Sequence, residues 1–170
     1  MCFAMLSVMS YGLKEDLTSD YLKSNTQRAE NLVHQVSNFL NARRIQIETQ
    51  ATNPAVQQTI MHPASNQGLI SDFFYSHSVI GKQYPQQLYD FKGDQVFSSS
   101  SIHKEHQNLN IAPLDKGSFK KLNKQFQESA YAILISQDQR HLQLFLPVYY
   151  GKTIEGLLAT HIPLAELSET

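Results

Sequence analysis

From Lys14 to Gln50 the chain contains neither glycine nor proline, and no other stretch limits its fold so strongly. Apolar residues recur at Leu22, Ala29, Val33, Val36, Leu40 and Ile47, filling six of eight slots in a spacing that alternates four and three, with Thr26 and Arg43 as the misses. Leu32 and Phe39 widen the stripe. This is the pattern of a long amphipathic helix. At about 1.5 Å per residue a helix over 14–50 would run roughly 55 Å. A compact chain of this size has a radius of gyration near ~15 Å. A rod that overshoots its own domain needs another surface for its stripe, either a second copy of itself or a membrane-proximal continuation. Dimerisation along this helix is the expectation. The alternative is a long helix packed wholly on its own core.

The 170 residues suit one domain of ordinary size, and 41% apolar against 17% charged residues is the composition of a folded chain rather than a disordered one. Fourteen Lys and Arg against fifteen Asp and Glu give a net charge of −1, so no global positive field exists to condense a nucleic acid. Cys2 is the only cysteine, which removes disulfide frameworks, Cys-x-x-Cys redox chemistry and thiolate zinc sites. Seventeen glutamines and no tryptophan give a polar, uncharged bias that suits an exported domain. Residues 1–13 are mostly apolar but lack a basic region and a cleavage site, and are too short to span a bilayer. They read as the end of a transmembrane helix or as a buried terminal segment, with one domain over 14–170.

After the long helix, Asn53 and Pro54 supply an N-cap and a first-turn proline for a short helix over Pro54–Met61. A further helix is expected over Ser65–Ser78, ended by Gly81. Strands follow. Gln87–Phe91 and Gln95–Ser99 form a hairpin through Lys92 and Gly93, with Asp90 and Asp94 supporting the turn. The polar, unpatterned stretch from Ser100 to Gly117 exceeds an ordinary connection and reads as a functional loop, a candidate lid. A short helix over Ser118–Glu128 precedes three strand patterns, Ala130–Ile135, His141–Tyr149 and Thr153–Ile162, expected to be antiparallel neighbours. The fold class is therefore α+β, a long N-terminal helix (14–50) and short helices (54–78) on an antiparallel sheet of about five strands (87–162).

Motifs for chemistry are sparse. Gly151, Lys152 and Thr153 end like a phosphate-binding loop, but Leu146 stands where its first glycine is needed, and a turn between strands explains them better. His103 and His106, with Glu105 between them, are an incomplete metal shell in a loop. His34 and His77 read as partly buried polar residues, and His62, His141 and His161 share no spacing, so neither a metal nor a cofactor is expected. There is no nucleophile elbow and no paired-histidine zinc motif, so no catalytic residue is assigned and an enzyme is not expected.

The order of elements resembles the PAS-like extracytoplasmic sensor fold of the Cache family. Leu146-Pro147-Val148-Tyr149, Gly151, Gly156-Leu157-Leu158 and Ile162-Pro163-Leu164 look like that family's last hairpin, and Leu88 to Ser99 is similar to its first, with Asp90 and Gly93 matching the turn. The likeness covers most of 14–167. The signature by which one branch of the family binds amino acids is missing. The resemblance implies a ligand-sensing domain of a bacterial membrane receptor, on the periplasmic or extracytoplasmic side of the inner membrane, whose output is a histidine kinase, a diguanylate cyclase or a chemoreceptor. A small molecule is expected between the sheet and the loop 100–117, lined by Tyr89, Phe97, Ser99, Ser101, His103 and Tyr131, with aromatic walls and polar groups that orient it. Its arrival would shift the last strand against the long helix. Expected partners are that small-molecule ligand, a second copy of the chain through the long helix and the membrane through flanking spans, and not nucleic acid. The competing reading is a protein-interaction or dimerisation module of the same fold without a small-molecule site.

Overall fold

The structure, a computed structural model, describes residues 2–101, 114–136 and 139–168, with side chains from Asp20 onward and that of Ser101 excepted. The fold is α+β, a long N-terminal helix and five antiparallel strands. Helix α1 (Cys2–Ala51) takes in the opening run without a break, beyond the 14–50 span expected. Among the described residues no helix is long and apolar enough to cross a membrane. The chain divides into two compact units, Met1–Leu40 and Asn41–Thr170. In the first, Tyr21, Leu22, Leu32 and Val33 are all exposed.

In the second unit the end of α1 is followed by α2 (Pro54–Met61), whose Asn53 cap accepts a 2.9 Å hydrogen bond from the Ala55 amide. A 3-10 turn at Pro63–Ser65 and a non-helical Asn66 delay α3 to Gln67–Ser76, later than the Ser65 start expected. The strands are β1 (Gln86–Asp90), β2 (Gln95–Ser98), β3 (Ala132–Ile135), β4 (His141–Tyr150) and β5 (Thr153–Pro163), in the order β2-β1-β5-β4-β3. Helix α4 (Lys116–Gln125) starts two residues before the expected Ser118 because Asp115 caps it, accepting from the amides of Gly117 and Ser118. The Ser118 hydroxyl also donates to Asp115 and, with those amides, holds its carboxyl below the usual range.

Pleating divides the sheet into two faces. Leu88, Leu144, Leu146, Leu158, Thr160 and Ile162 share the first face, because Leu88 pairs with Leu158 and Leu144 with Thr160. The end of α1 with α2 and α3 covers it through buried Ile47, Val56, Ile60, Ile70 and Phe74. Buried glutamine contributes here: Gln86 Nε2 donates to Gln50 Oε1 (2.6 Å) and Thr160 Oγ1 (3.2 Å), so these interior amides are satisfied rather than stranded. The second face carries Gln87, Tyr89, Phe145, Leu157, Ala159 and His161. Helix α4 lays Phe119, Leu122 and Phe126 against its apolar part.

The turn between β1 and β2 meets α4. Asp90 Oδ1 accepts from the amides of Lys92 and Asp94, and Gly93 takes φ +81° where a side chain would run into the Phe119 ring.

Candidate functional site

Of the six residues expected to line one pocket, the four whose side chains are described are divided between the two faces of the sheet. Tyr89 is on the second face, fully buried. Phe97 is on the first, paired with Leu88 and stacked on Phe74 at 5.4 Å between ring centroids. The cause is a β-bulge. At the turn Tyr89 pairs with Gln95, and an unbroken register would set Phe97 against Gln87 on the second face; the irregularity between Leu88 and Tyr89 shifts the pairing by one residue and turns Phe97 over. Ser99 is buried, but its hydroxyl is committed to the Gln86 amide at 2.8 Å. Tyr131 is partly exposed on the first-face side, since its neighbour Ala132 belongs to the second-face cluster, and the Arg44 guanidinium lies 5.5 Å from its ring centre. The side chain of Ser101 and all of His103 lie outside the described residues, as do Glu105, His106 and most of the expected lid.

The polar groups that the second face does assemble are Tyr89, Gln87 and His161. The Leu114 amide donates to the Tyr89 hydroxyl at 3.1 Å, and that hydroxyl donates to Gln87 Oε1 at 2.7 Å. Gln87 Oε1 also faces His161 Nε2 at 3.1 Å. With the amide oxygen between them, His161 donates, so its proton sits on Nε2. All three side chains are buried, at 2% exposure or less. Burial raises the Tyr89 phenol above its usual pKa, opposed by the Leu114 amide, so Tyr89 is a neutral donor. Beside this chain lie Phe145, Leu157 and Ala159, giving an apolar wall with a polar end. Leu114 lies just ahead of α4, so this hydrogen bond ties the approach to that helix to Tyr89.

His161 and Gln87 were not singled out by sequence. Gln87 lies two residues before Tyr89, and His161 follows Leu157 and Ala159 at the same alternation, so a polar residue in step with an apolar strand face was the available signal. His77 does not join them; it is exposed, stacks on Phe73 at 4.2 Å and holds that residue's carbonyl. His34, expected to be partly buried, is exposed. Among the described residues no three His, Cys, Asp or Glu side chains converge as a metal site requires.

A second polar cluster joins the chain's two ends within this unit. The 3-10 turn Leu164–Ser168 carries Glu166, which accepts from Tyr84 (2.6 Å) and Arg43 (3.2 Å) on one oxygen and meets Lys82 at 3.3 Å on the other. Arg43 Nε also donates to the Tyr84 hydroxyl at 3.1 Å. Burial and the hydrogen bond to Glu166 push the Tyr84 phenol up to about 12, against the pull of Arg43. Unfolded tyrosine ionises near ~10 while folded Tyr84 stays neutral, so stability present below that pH is lost as pH rises toward the folded value. Tyr84→Phe, weaker than wild type at neutral pH, is therefore expected to close its gap between about pH 10 and 12, by on the order of 1–2 kcal/mol in urea unfolding. A gap constant with pH would show that Tyr84 is not held neutral by this cluster.

No protein-family model and no curated protein matches the chain.

Proposed function

We propose that this chain is the extracytoplasmic ligand-sensing domain of a bacterial membrane receptor, and that the second face of its sheet takes the small molecule. The observation that carries this reading is the buried Tyr89–Gln87–His161 chain on that face, next to an apolar wall and tied through Tyr89 to the Leu114 amide ahead of α4. A structural core is normally closed with apolar groups, since buried polar groups add specificity at a cost in desolvation. A ligand seated there exchanges these hydrogen bonds for its own, and its differential affinity for two arrangements is what moves the equilibrium. His161 lies on β5, and β5 runs on into the Glu166 cluster, so the displacement has a route to the end of α1.

The test is thermal stability of the protein against pooled metabolites. A ligand at about a hundred times its dissociation constant adds about 2.7 kcal/mol. For any hit, His161→Ala and Gln87→Leu are expected to weaken binding at least about tenfold, as loss of a buried hydrogen bond does. Ser99→Ala, away from the second face, should leave it intact. A hit indifferent to both second-face variants would refute this location.

The exposed Tyr21, Leu22, Leu32 and Val33 support a homodimer through α1, and they are what an interaction module without a ligand would use. Sedimentation equilibrium is expected to give twice 19.3 kDa for the wild type and the monomer mass for the Leu22→Glu, Val33→Glu double variant. These residues are 61% and 66% exposed, so the change leaves the monomer's fold alone. A wild-type monomer would remove the dimer from the proposal.

A further inference from the structure

We propose that α4 is a docking surface for an anionic lipid bilayer. Its inward face is Phe119, Leu122 and Phe126, all buried on the sheet. Its outward face is lysine: Lys116, Lys120, Lys121 and Lys124 are exposed, four of the chain's ten lysines on one helix of ten residues. Lys116, Lys120 and Lys124 follow at intervals of four and so form a row along one side, about 12 Å long, with Lys121 flanking it. Between Asp115 and Gln127 the only acid is Asp115, at the cap. This local concentration stands out in a chain of net charge −1.

The surface extends past the helix. The β1–β2 turn packs on α4 at Gly93 and Phe119, and it presents Lys92 and Phe91, the latter 58% exposed. Lys116 and Asp94 stand 3.8 Å apart, but both are largely exposed, so the pairing is weak and the lysine stays available. Lysines around an exposed aromatic ring fit an interface in which charge meets headgroups and the ring enters the acyl boundary. A chain of net charge −1 has no global field to condense a nucleic acid, whereas a local row of lysines with an exposed ring nearby suits a bilayer, which offers an acyl boundary as well as charge.

The test is co-sedimentation of the full chain with vesicles of phosphatidylcholine alone and of equimolar phosphatidylcholine and phosphatidylglycerol. Phosphatidylglycerol is expected to increase binding, and the increase should vanish near ~0.5 M salt, where exposed charges are screened. Lys120→Glu, Lys121→Glu, Lys124→Glu is expected to lower the increment by more than about a hundredfold, since losing three lysines at roughly fivefold each already gives that much and the reversed charges add repulsion. The corresponding Gln variant, which removes charge without reversing it, serves if the first does not fold. Phe91→Ser should weaken binding to the phosphatidylglycerol vesicles with the α4 lysines intact. Binding of the apolar residues 1–13 to lipid would be the same on both vesicles and in every α4 variant, so it is told apart. No phosphatidylglycerol increment, or one that the lysine variants leave unchanged, overturns the proposal. Salt-sensitive binding of a single-stranded oligonucleotide, lost in the same variants and without a vesicle increment, would overturn it in favour of a nucleic acid.

Discussion

Gly156→Ala is expected to destabilise the protein by at least about 3 kcal/mol, more than a surface substitution in any strand. Gly156 lies on β5, the central strand, opposite Asp90 on one side and Val148 on the other. A methyl group there would run into the Tyr89 carbonyl oxygen, with two carbons of Ile60 at 2.9 and 3.1 Å. Ile60 could rotate. The carbonyl cannot, since it belongs to a β1 backbone that is hydrogen-bonded to its neighbours across the sheet. Relief therefore requires β5 to move away from β1, which would disturb Tyr89 and the cluster around it. Gly68→Ala is the control with the opposite sign. Gly68 lies in α3 with nothing within 4 Å of the added atom, so the loss of backbone freedom in the unfolded chain should stabilise by about 0.5–1 kcal/mol. Urea unfolding measures both. A Gly156→Ala midpoint within experimental error of the wild type would mean that the two strands are not held as closely as described.

The Gly156 position shows the limit of what was legible. Gly156-Leu157-Leu158 stood out in the sequence only as part of a hairpin resembling the family's last one; the close approach of the Tyr89 backbone to Gly156 came from the structure. The Asn53-Pro54 start, the Asp90–Gly93 turn and the three closing strands were legible, since each depends on neighbours within a few residues. The candidate site depends on pairing over long separations. Gln87 and His161 meet across 74 positions, and no local pattern joins them. The bulge beside Tyr89 reverses a strand that plain alternation would have aligned, which is why Phe97 and Ser99 were expected beside Tyr89. Arg43 is the clearest case. In the helical spacing it is a miss, a charge in an apolar slot, yet the slot is buried as the spacing demands. What makes a charge tolerable there is Glu166, 123 residues away.

That compensation leads to the second large effect. Glu166→Ala is expected to cost about 3 kcal/mol, because it removes the carboxylate that pairs with the buried Arg43 guanidinium, and breaking one side of a buried pair is worse than never having had it. Arg43 is 8% exposed, so it cannot simply turn to water, whereas Lys82 can. The prediction is non-additive. Arg43→Met with Glu166→Leu replaces both charges by apolar groups and is expected to be more stable than either single variant, with a coupling energy of roughly 1.5 kcal/mol or more. Glu166→Gln separates charge from hydrogen bonding and adds a pH test. Burial works against the Glu166 carboxylate, but the hydrogen bonds from Tyr84, Lys82 and Arg43 outweigh it and hold its pKa below the usual value. A depressed pKa contributes stability that is present above the unfolded carboxylate pKa and is lost as pH falls through the folded one. Wild type should therefore lose stability to acid more steeply than Glu166→Gln, and the two should converge below that folded value. Parallel acid profiles, or single-variant losses that simply add in the double variant, would mean that the C-terminal turn is held to α1 by packing rather than by this charge.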